Sequence, residues 1–316
     1  MENKISLLFS EESDLTTDYV IDWFLSKRKP YKITLNNFNI INKYVIKNKK
    51  SKLKIDGFNI NDINSIWFRR GKLNLYLTSS FKNLNKFLKE EENVLLKPIE
   101  KELKKKINLV GSYLNEIENN KLEVLIAAKF AGLKIPNTLI TSNKKELQKF
   151  YDKNKSIITK DFYHPVSFKI KEKMYNSAGT ILVNQKMINN CQENFVPMFL
   201  QKRIDKKYEI RIFHYKKKLF PMAIFSQNDK QTSVDYRNYN DERPNRNIPV
   251  IIPKKIENKI HKLLKKLKLS TCSIDFIVSK NNEYTFLEVN PMGQLDWVSQ
   301  NCNYYIEKYI AEDLMV

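Results

Sequence analysis

The sequence predicts an α/β protein built from more than one domain. Short apolar runs typical of strands alternate with longer amphipathic stretches typical of helices. The chain has 316 residues, of which 42% are hydrophobic, so it can bury a sizeable core and form roughly two or three domains. No apolar run is long enough to cross a bilayer, and the N-terminus lacks the pattern of a signal peptide.

The N-terminal third predicts a small α/β domain. Residues 5–9 are typical of a strand, residues 18–27 of an amphipathic helix and residues 31–35 of a second strand. A further strand is expected within residues 63–70. The apolar spacing of residues 81–107 predicts a long helix, with an interruption at Pro98 as an alternative.

A second unit begins near residue 120. Residues 122–131 predict a helix that Gly132 ends, followed by a strand and the cap of another helix within about thirty residues. The later expected elements are four strands and a helix, at residues 156–160, 195–204, 208–215, 219–226 and 256–267.

Two apolar runs near the C-terminus, joined by a polar turn, predict a β-hairpin. Because side chains alternate along a strand, Glu288 and Asn290 share one face of the second strand, and Asp275 on the first strand can join them. Two carboxylates and an amide oxygen are hard ligands suited to Mg²⁺ that also holds substrate phosphates. The alternative is an ordinary hairpin with solvent-facing acids.

The formal net charge of +21 would suit a nucleic-acid partner. Much of the excess is lysine in Asn/Lys-rich stretches such as residues 47–54, and no helix-turn-helix, zinc-finger or RNA-binding signature accompanies it. Cys191, Cys272 and Cys302 are odd in number and widely spaced, which fits neither a disulfide framework nor a zinc site. This cysteine usage predicts a reducing cytoplasm.

The order of these elements resembles that of the ATP-grasp ligases over roughly residues 120–295. The motifs that carry the resemblance are, in chain order, Gly132-Leu133-Lys134-Ile135-Pro136-Asn137-Thr138, Lys160, Phe199-Leu200-Gln201-Lys202-Arg203-Ile204, Glu209-Ile210-Arg211, and Asp275 with Glu288 and Asn290. The resemblance implies two α+β units that clamp ATP with Mg²⁺. It divides the chain into an N-terminal pre-ATP-grasp domain, a central subdomain and a C-terminal ATP-grasp subdomain, at residues 1–118, 119–198 and 199–316.

The resemblance also implies nucleotide-binding roles. Lys160 would neutralise phosphate oxygens as a point charge. Glu209 would hold ribose hydroxyls, and Asn238 would belong to the same nucleotide site. The hinge that offers backbone groups to the adenine edge would be Gln201, Lys202, Arg203 and Ile204. Lys202 departs from the family, in which an acid often follows the hinge Gln.

Catalytic roles follow from the same resemblance. Arg211 and Arg237 would stabilise the charge that develops on the transferred phosphoryl group and on the acyl phosphate. Arg237 lies in the segment Asp235-Tyr236-Arg237-Asn238, which resembles the glutamate-adding branch of the family. The plainer alternatives are a solvated strand end for Lys160 and a surface ion pair between Glu209 and Arg211.

The ends of the chain resemble the graspetide synthetases, and most of all the grasp-with-spasm peptide maturases. The matching segments are residues 10–18 with 21–24, Trp67-Phe68-Arg69-Arg70-Gly71, and residues 288–294 with 302–306. The resemblance implies an ATP-dependent macrocyclase acting on a ribosomally made precursor peptide. It would phosphorylate Asp or Glu side chains and join them to Ser/Thr hydroxyls or Lys amines.

Further expectations concern the partners. Arg69 and Arg70 would contact the substrate, although a solvated strand end is an equal alternative. The leader peptide would dock on the central unit at about residues 162–195, and a homodimer is a further expectation. Two rival functions stay open: a ligase that adds amino acids to a protein or makes a small dipeptide, and a basic nucleic-acid-binding protein.

Overall fold

The structure, a computed structural model, describes residues 4–35, 39–47, 50–71, 73–75, 78–162, 167–176, 179–227, 229, 231, 232, 235–237 and 240–316. Its strands are β1 (Ile5–Ser10), β2 (Tyr31–Leu35), β3 (Asn39–Lys47), β4 (Lys50–Ile55), β5 (Phe58–Asn59), β6 (Ile63–Phe68), β7 (Leu73–Asn74), β8 (Asn108–Val110), β9 (Thr138–Asn143), β10 (Ile157–Lys160), β11 (Ser167–Ile170), β12 (Lys173–Asn176), β13 (Ile181–Val183), β14 (Asn194–Lys202), β15 (Lys206–Tyr215), β16 (Lys218–Phe225), β17 (Arg246–Pro249), β18 (Thr271–Ser279) and β19 (Tyr284–Asn290). Its α-helices are α1 (Leu15–Ser26), α2 (Lys82–Lys106), α3 (Tyr113–Ile117), α4 (Lys121–Phe130), α5 (Lys144–Asn154), α6 (Gln185–Asn190), α7 (Lys254–Leu267), α8 (Asp296–Cys302) and α9 (Ile306–Met315). None of these helices is both long and apolar enough to cross a membrane.

The N-terminal part contains a parallel sheet in the order β2-β1-β6-β8. The predicted strands and helix are confirmed, with α1 beginning at Leu15, three residues before the predicted start. Pro98 lies inside α2 without ending it. Leu96, Ile99 and Leu103 on either side of Pro98 are all buried, so packing of the apolar face outweighs the backbone hydrogen bond that proline removes.

Two antiparallel sheets follow. The central sheet has the order β13-β10-β14-β9, and the C-terminal sheet has the order β17-β16-β15-β18-β19. The chain passes from the central sheet to the C-terminal sheet through residues 203–205, between β14 and β15. Residues of β10 and β14 therefore line one cleft together with residues of β15, β18 and β19.

The hydrophobic cores cross the expected domain limits. Val124 and Leu125 of α4 belong to the core that α7 forms with the C-terminal sheet. Leu314 of α9 belongs to a core shared with the N-terminal sheet and α1. The Leu314 carbonyl accepts hydrogen bonds from Ser6 Oγ at 2.9 Å and from Ser65 Oγ at 2.7 Å. The limits at residues 118 and 198 stay a prediction.

The structure confirms the C-terminal hairpin. Asp275 of β18 lies opposite Glu288 of β19, and Ser273 lies opposite Asn290. The register shifts after Asp275, between that residue and Phe276. Alternation along β19 therefore places Glu288 and Asn290 on the face to which Asp275 contributes.

Replacing Gly111 by Ala is expected to lower the free energy of unfolding by roughly 1–3 kcal/mol more than replacing Gly57 by Ala. Both glycines have positive φ, +77° and +87°. An added Cβ at Gly111 would meet the Phe68 carbonyl oxygen at 2.4 Å, whereas one at Gly57 would meet nothing within 4 Å. Urea unfolding of the two variants measures the difference, and equal losses would show that β6 and β8 can move apart freely.

Candidate active site

A cleft of about 750 Å³ lies between the central and C-terminal sheets. The cleft collects most of the residues predicted for the nucleotide and metal sites and one predicted catalytic arginine: Lys160, Gln201, Lys202, Arg203, Ile204, Glu209, Asp275, Glu288 and Arg237. Asn238 lies outside the described residues.

Glu288 lies between two cations in this cleft. Its carboxylate is 3.9 Å from Lys160 Nζ and 3.5 Å from an Arg237 terminal nitrogen. Burial disfavours its charge, but Lys160, Arg237 and Lys121 outweigh burial and hold the pKa of Glu288 below its usual value. Glu288 is therefore ionised and held by loose ionic contacts.

The hairpin residues fit a magnesium ion. Glu288 accepts no hydrogen bond within the described part of the chain, so its oxygens remain available to a cation. Asn290 Oδ1 accepts one bond, from the Met292 N–H at 3.0 Å, and keeps a second lone pair. Asp275 lies opposite Glu288 across the strands, and both of its carboxylate oxygens contact Arg211. Glu288 and Asn290 offer hard oxygen donors, which Mg²⁺ prefers, and Asp275 would join them by exchanging its contact with Arg211 for the ion.

Lys160 ends β10 inside the cleft, where only 11% of its side chain is exposed. Its ammonium lies 5.3 Å from the centroid of the Phe199 ring. Burial, opposed by Glu288, lowers the pKa of Lys160. The alternative of a solvated strand end is therefore wrong for this residue.

Lys121, the first residue of α4, is a cation near Glu288 that the sequence did not predict. Its ammonium donates a hydrogen bond to the Asp161 carbonyl at 2.7 Å. Burial lowers the pKa of Lys121, and Glu288 partly offsets this effect. The packing of α4 on the C-terminal sheet brings Lys121 towards the cleft, and no local pattern in the sequence signals that packing.

The hinge offers one free backbone donor. The Lys202 N–H bonds to the Asn137 carbonyl at 2.9 Å, and the Arg203 N–H bonds to the Ser156 carbonyl at 3.0 Å. Among the described residues, nothing accepts from the Ile204 N–H. The Gln201 side chain is occupied by Thr138 Oγ1 at 3.1 Å. Apolar side chains line the slot beside this donor: Ile158, Ile204, Ile277 and Leu287.

Glu209 pairs with Lys206 rather than with Arg211, so the expected surface ion pair is wrong. The pairing is set by packing: Glu209 is buried beside Lys206, and Ser226 Oγ donates to its carboxylate at 3.1 Å. Burial raises the pKa of Glu209 to about 7 against the opposing effect of Lys206. Lys206 is a second residue that the sequence argument missed.

The two predicted catalytic arginines are held by acids. A terminal nitrogen of Arg211 lies 3.1 and 3.0 Å from the two carboxylate oxygens of Asp275, and donates to Tyr236 Oη at 3.1 Å. Arg237 forms a two-point contact with Asp235, at 2.9 and 2.7 Å. Asp275 outweighs the effect of burial and raises the pKa of Arg211, so both guanidiniums remain charged.

A second, wider cleft of about 1600 Å³ adjoins the first. Arg70, Arg211 and Asn290 line it, and it shares Arg237 and Glu288 with the first cleft. Its wall is completed by residues of α8, of β17 and its approach, and of the turn after β19: Asn245, Asn247, Gln294, Asp296, Trp297 and Asn301. The two clefts form one continuous site around Glu288.

Arg69 and Arg70 lie in different surroundings. Arg69 is 3% exposed, and its guanidinium pairs with Asp14 at 3.0 Å. It also donates to the carbonyls of Met292 and Gly293 at 3.1 and 3.2 Å. Arg69 thus holds the turn after β19 against the N-terminal domain, while Arg70 faces the second cleft.

Solved structures match the chain over almost its full length. A RiPP-associated ATP-grasp ligase from Chryseobacterium gregarium, in complex with ADP and a leader and core peptide, superposes with a TM-score of 0.77 at 22% identity. This match covers 99% of the chain and 95% of the ligase. The chain has the ATP-grasp fold. The fold class predicted from the order of the motifs is therefore confirmed.

Two further ATP-grasp structures agree. The macrocyclase MdnC from Microcystis aeruginosa, bound with precursor peptide MdnA, matches at 23% identity with a TM-score of 0.73, covering 98% of this chain and 99% of MdnC. The ligase PsnB, complexed with a minimal precursor, Mg and ADP, matches at 13% identity with a TM-score of 0.68, covering 98% and 96%. No family model matches the sequence, and no curated protein matches it.

Proposed function

We propose that this chain is an ATP-dependent ligase that closes rings in a ribosomally made precursor peptide. It would join Asp or Glu side chains to hydroxyl or amine side chains of the same peptide. The observation that carries the proposal is the continuous double cleft. A narrow cleft with cations and oxygen ligands adjoins a wider one large enough for a peptide segment. Ligases that share the fold were solved with precursor peptides and ADP, which supports this substrate class.

The nucleotide fits the narrow cleft. The free Ile204 N–H would donate to a ring nitrogen of adenine, and Ile158 and Leu287 would pack on its faces. Lys160 and Lys121 would neutralise phosphate oxygens. Glu209 would accept hydrogen bonds from ribose hydroxyls.

The first step would activate the peptide. A carboxylate oxygen of the peptide attacks the γ-phosphorus of ATP, the bond to the bridging oxygen breaks, and ADP leaves. Asp275, Glu288 and Asn290 would hold Mg²⁺, which supplies positive charge to the phosphate oxygens during this transfer. Arg237 lines both clefts and Arg211 lines the second, and both would stabilise the negative charge that develops on the transferred phosphoryl group.

The second step would close the ring. The acceptor oxygen or nitrogen of the peptide attacks the acyl carbon, and the bond from carbon to the phosphate oxygen breaks. Inorganic phosphate leaves with that electron pair, and the acceptor loses a proton. No covalent nucleophile of the enzyme is required, so positioning and electrostatics would carry the rate.

The remaining expectations belong to this proposal. Arg70 would contact the peptide from the wall of the second cleft, and Arg69 would position the turn after β19 rather than touch the substrate. Docking of the leader on residues 162–195, a homodimer and a cytoplasmic location stay predictions. The free thiols of Cys191, Cys272 and Cys302 support a reducing compartment.

Mass spectrometry tests the proposal. The probe is the Ser/Thr- and Asp/Glu-rich peptide that we expect to be encoded beside the gene, incubated with the full chain, ATP and Mg²⁺. The expected product has lost one water for each ring. A product that gains amino-acid masses would favour the residue-adding ligase. Salt-dependent nucleic-acid binding without ATP turnover, or no such peptide beside the gene, would also contradict the proposal.

ATP binding is expected to strengthen by about tenfold between about pH 6 and about pH 8, because the raised pKa of Glu209 leaves much of its carboxyl protonated at the lower pH. The ionised carboxylate accepts stronger hydrogen bonds from the ribose hydroxyls than the neutral carboxyl group does. Calorimetry of ATP binding to wild type and to Glu209→Gln across this range measures the effect. Titration of the nucleotide itself changes the ATP affinity of both proteins equally. The variant should lack the additional strengthening of ATP binding that ionisation of Glu209 causes in wild type. If ATP affinity changed with pH to the same extent in wild type and in the variant, Glu209 would not bind the ribose hydroxyls.

A further inference from the structure

Arg69, in the N-terminal part of the chain, reaches the turn that follows a candidate magnesium ligand. It comes directly after β6, and its backbone N–H donates to the Phe9 carbonyl of β1 at 3.1 Å. Its guanidinium donates to the carbonyls of Met292 and Gly293, just after β19, at 3.1 and 3.2 Å. One side chain thus connects the N-terminal sheet with the end of the strand that carries Asn290.

Each of the five N–H donors of this guanidinium has an acceptor among the described residues. Its Nε and one terminal nitrogen donate to the two carboxylate oxygens of Asp14 at 3.0 and 3.1 Å. Asp14 is held in turn, because Thr17 Oγ1 donates to it at 2.8 Å and Ser10 Oγ at 3.3 Å. A two-point contact between arginine and carboxylate fixes direction as well as distance, so the other terminal nitrogen is aimed at the turn.

The turn orients the side chain of Asn290. The Met292 N–H donates to Asn290 Oδ1 at 3.0 Å, and the Gly293 N–H donates to the Asn290 carbonyl at 3.1 Å. The first of these bonds fixes where the amide oxygen lies. The Met292 carbonyl and the Gly293 N–H belong to one planar peptide group. Arg69 therefore holds the same peptide group that bonds back to Asn290.

The turn is also packed closely on β18. An added Cβ at Gly293 would meet Ser273 Oγ at 2.0 Å, so this position requires a glycine. Ser273 Oγ donates to the Gln294 carbonyl at 3.3 Å. The strand β18 thus supports the turn from the C-terminal sheet, and Arg69 holds its carbonyls from the N-terminal sheet.

We propose that Arg69 is a positioning residue for the magnesium site and that, through this turn, it sets the direction in which Asn290 Oδ1 is offered to the ion. The inference rests on the proposed function. Arg69 lines neither of the two clefts, so it acts through Asn290 and not by contact with the ion. Replacing a group that orients a metal ligand commonly weakens metal binding by about 10- to 100-fold.

Arg69→Lys is the test variant, because it keeps the charge and removes the fork. An ammonium is a single point charge, so it can pair with Asp14 but cannot also reach both carbonyls of the turn. Binding of Mn²⁺, a paramagnetic substitute for Mg²⁺, to the full chain loaded with ADP is measured by electron paramagnetic resonance. We expect it to weaken by about tenfold or more, while ADP binding without metal stays at the wild-type level.

Two further variants accompany this one. Arg28→Lys makes the same change at an exposed residue of the N-terminal part and should bind Mn²⁺ as wild type does. Asp14→Asn keeps the guanidinium but removes the charge that aims it, so we expect a smaller loss of Mn²⁺ affinity in the same direction. If urea unfolding shows that Arg69→Lys does not fold, Asp14→Asn decides the question.

A double-mutant cycle shows whether Arg69 acts through Asn290. Asn290→Ala removes the proposed ligand and should itself weaken Mn²⁺ binding. Adding Arg69→Lys to that variant should cause no further loss, because there is no amide oxygen left to orient. Additive losses from the two changes would contradict the inference.

Other results would overturn it as well. Wild-type Mn²⁺ affinity in folded Arg69→Lys would mean that β18 alone holds the turn. Equal losses of Mn²⁺ binding and of ADP binding without metal would mean that Arg69 only supports the fold. If wild type loaded with ADP binds neither Mn²⁺ nor Mg²⁺, the proposed function itself fails.

Discussion

Replacing Glu288 by Gln is expected to reduce ATP-dependent ring closure by on the order of 100-fold or more. The variant keeps the size of the side chain but removes the charge that lies between Lys160 and Arg237, at 3.9 and 3.5 Å. It would also remove a ligand of the proposed magnesium site. Initial rates of peptide dehydration, measured as a function of Mg²⁺ concentration, should show a lower kcat and a weaker apparent affinity for the metal.

Glu283→Gln is the matched control for this change. Glu283 precedes β19 in the same hairpin, and its ion pair with Lys134 is exposed, with about half of each side chain in contact with water. Exposed pairs of this kind contribute about 0–1 kcal/mol. The control should retain the wild-type rate. If Glu288→Gln also retained the wild-type rate, Glu288 would not be a ligand of the magnesium ion.

Replacing Arg211 by Leu is expected to lower the free energy of unfolding by about 3–5 kcal/mol, because Asp275 would be left buried without its partner. Asp275 is 8% exposed, and both of its carboxylate oxygens lie within 3.1 Å of the same Arg211 nitrogen. The change also removes a cation from the wall of the second cleft. Thermal and urea unfolding measure the loss of stability.

A double variant separates the two effects of this change. Arg211→Leu with Asp275→Leu removes both charges, and replacement of a whole buried pair by apolar residues is often close to neutral. We expect this double variant to be more stable than the single Arg211→Leu variant, and we expect both variants to close no rings. Lys149→Leu, which breaks an exposed pair with Glu146, should change stability by less than about 1 kcal/mol. A single Arg211→Leu variant as stable as Lys149→Leu would contradict the account.

Local patterns predicted the elements of the site well. The hairpin at residues 271–290 follows from two apolar runs and a polar turn, and alternation along β19 gives the shared face of Glu288 and Asn290. The order of motifs predicted the fold class, which the superpositions confirm. These features depend on residues that are close to one another in the sequence, so one amino-acid sequence is enough to predict them.

Features that depend on packing between distant segments were not predicted. Lys121 approaches Glu288 only because α4 packs in the C-terminal core. At the hinge, the N–H groups of Lys202 and Arg203 are already bonded to the carbonyls of Asn137 and Ser156, which lie in other loops. The Ile204 N–H has no such partner among the described residues, and the sequence does not signal this difference. Arg69 and Arg70 were given one role, yet adjacent side chains at a strand end point to opposite sides, and only Arg70 reaches a cleft.

The proposed function requires that ATP activates a carboxylate of the peptide as an acyl phosphate. A precursor peptide whose Asp and Glu carboxylates carry ¹⁸O, incubated with the enzyme, ATP and Mg²⁺, tests this step. One labelled oxygen is expected to move to inorganic phosphate for each ring closed. If the phosphate released were unlabelled, and the ¹⁸O stayed in the peptide or passed to water, the peptide would not be activated as an acyl phosphate.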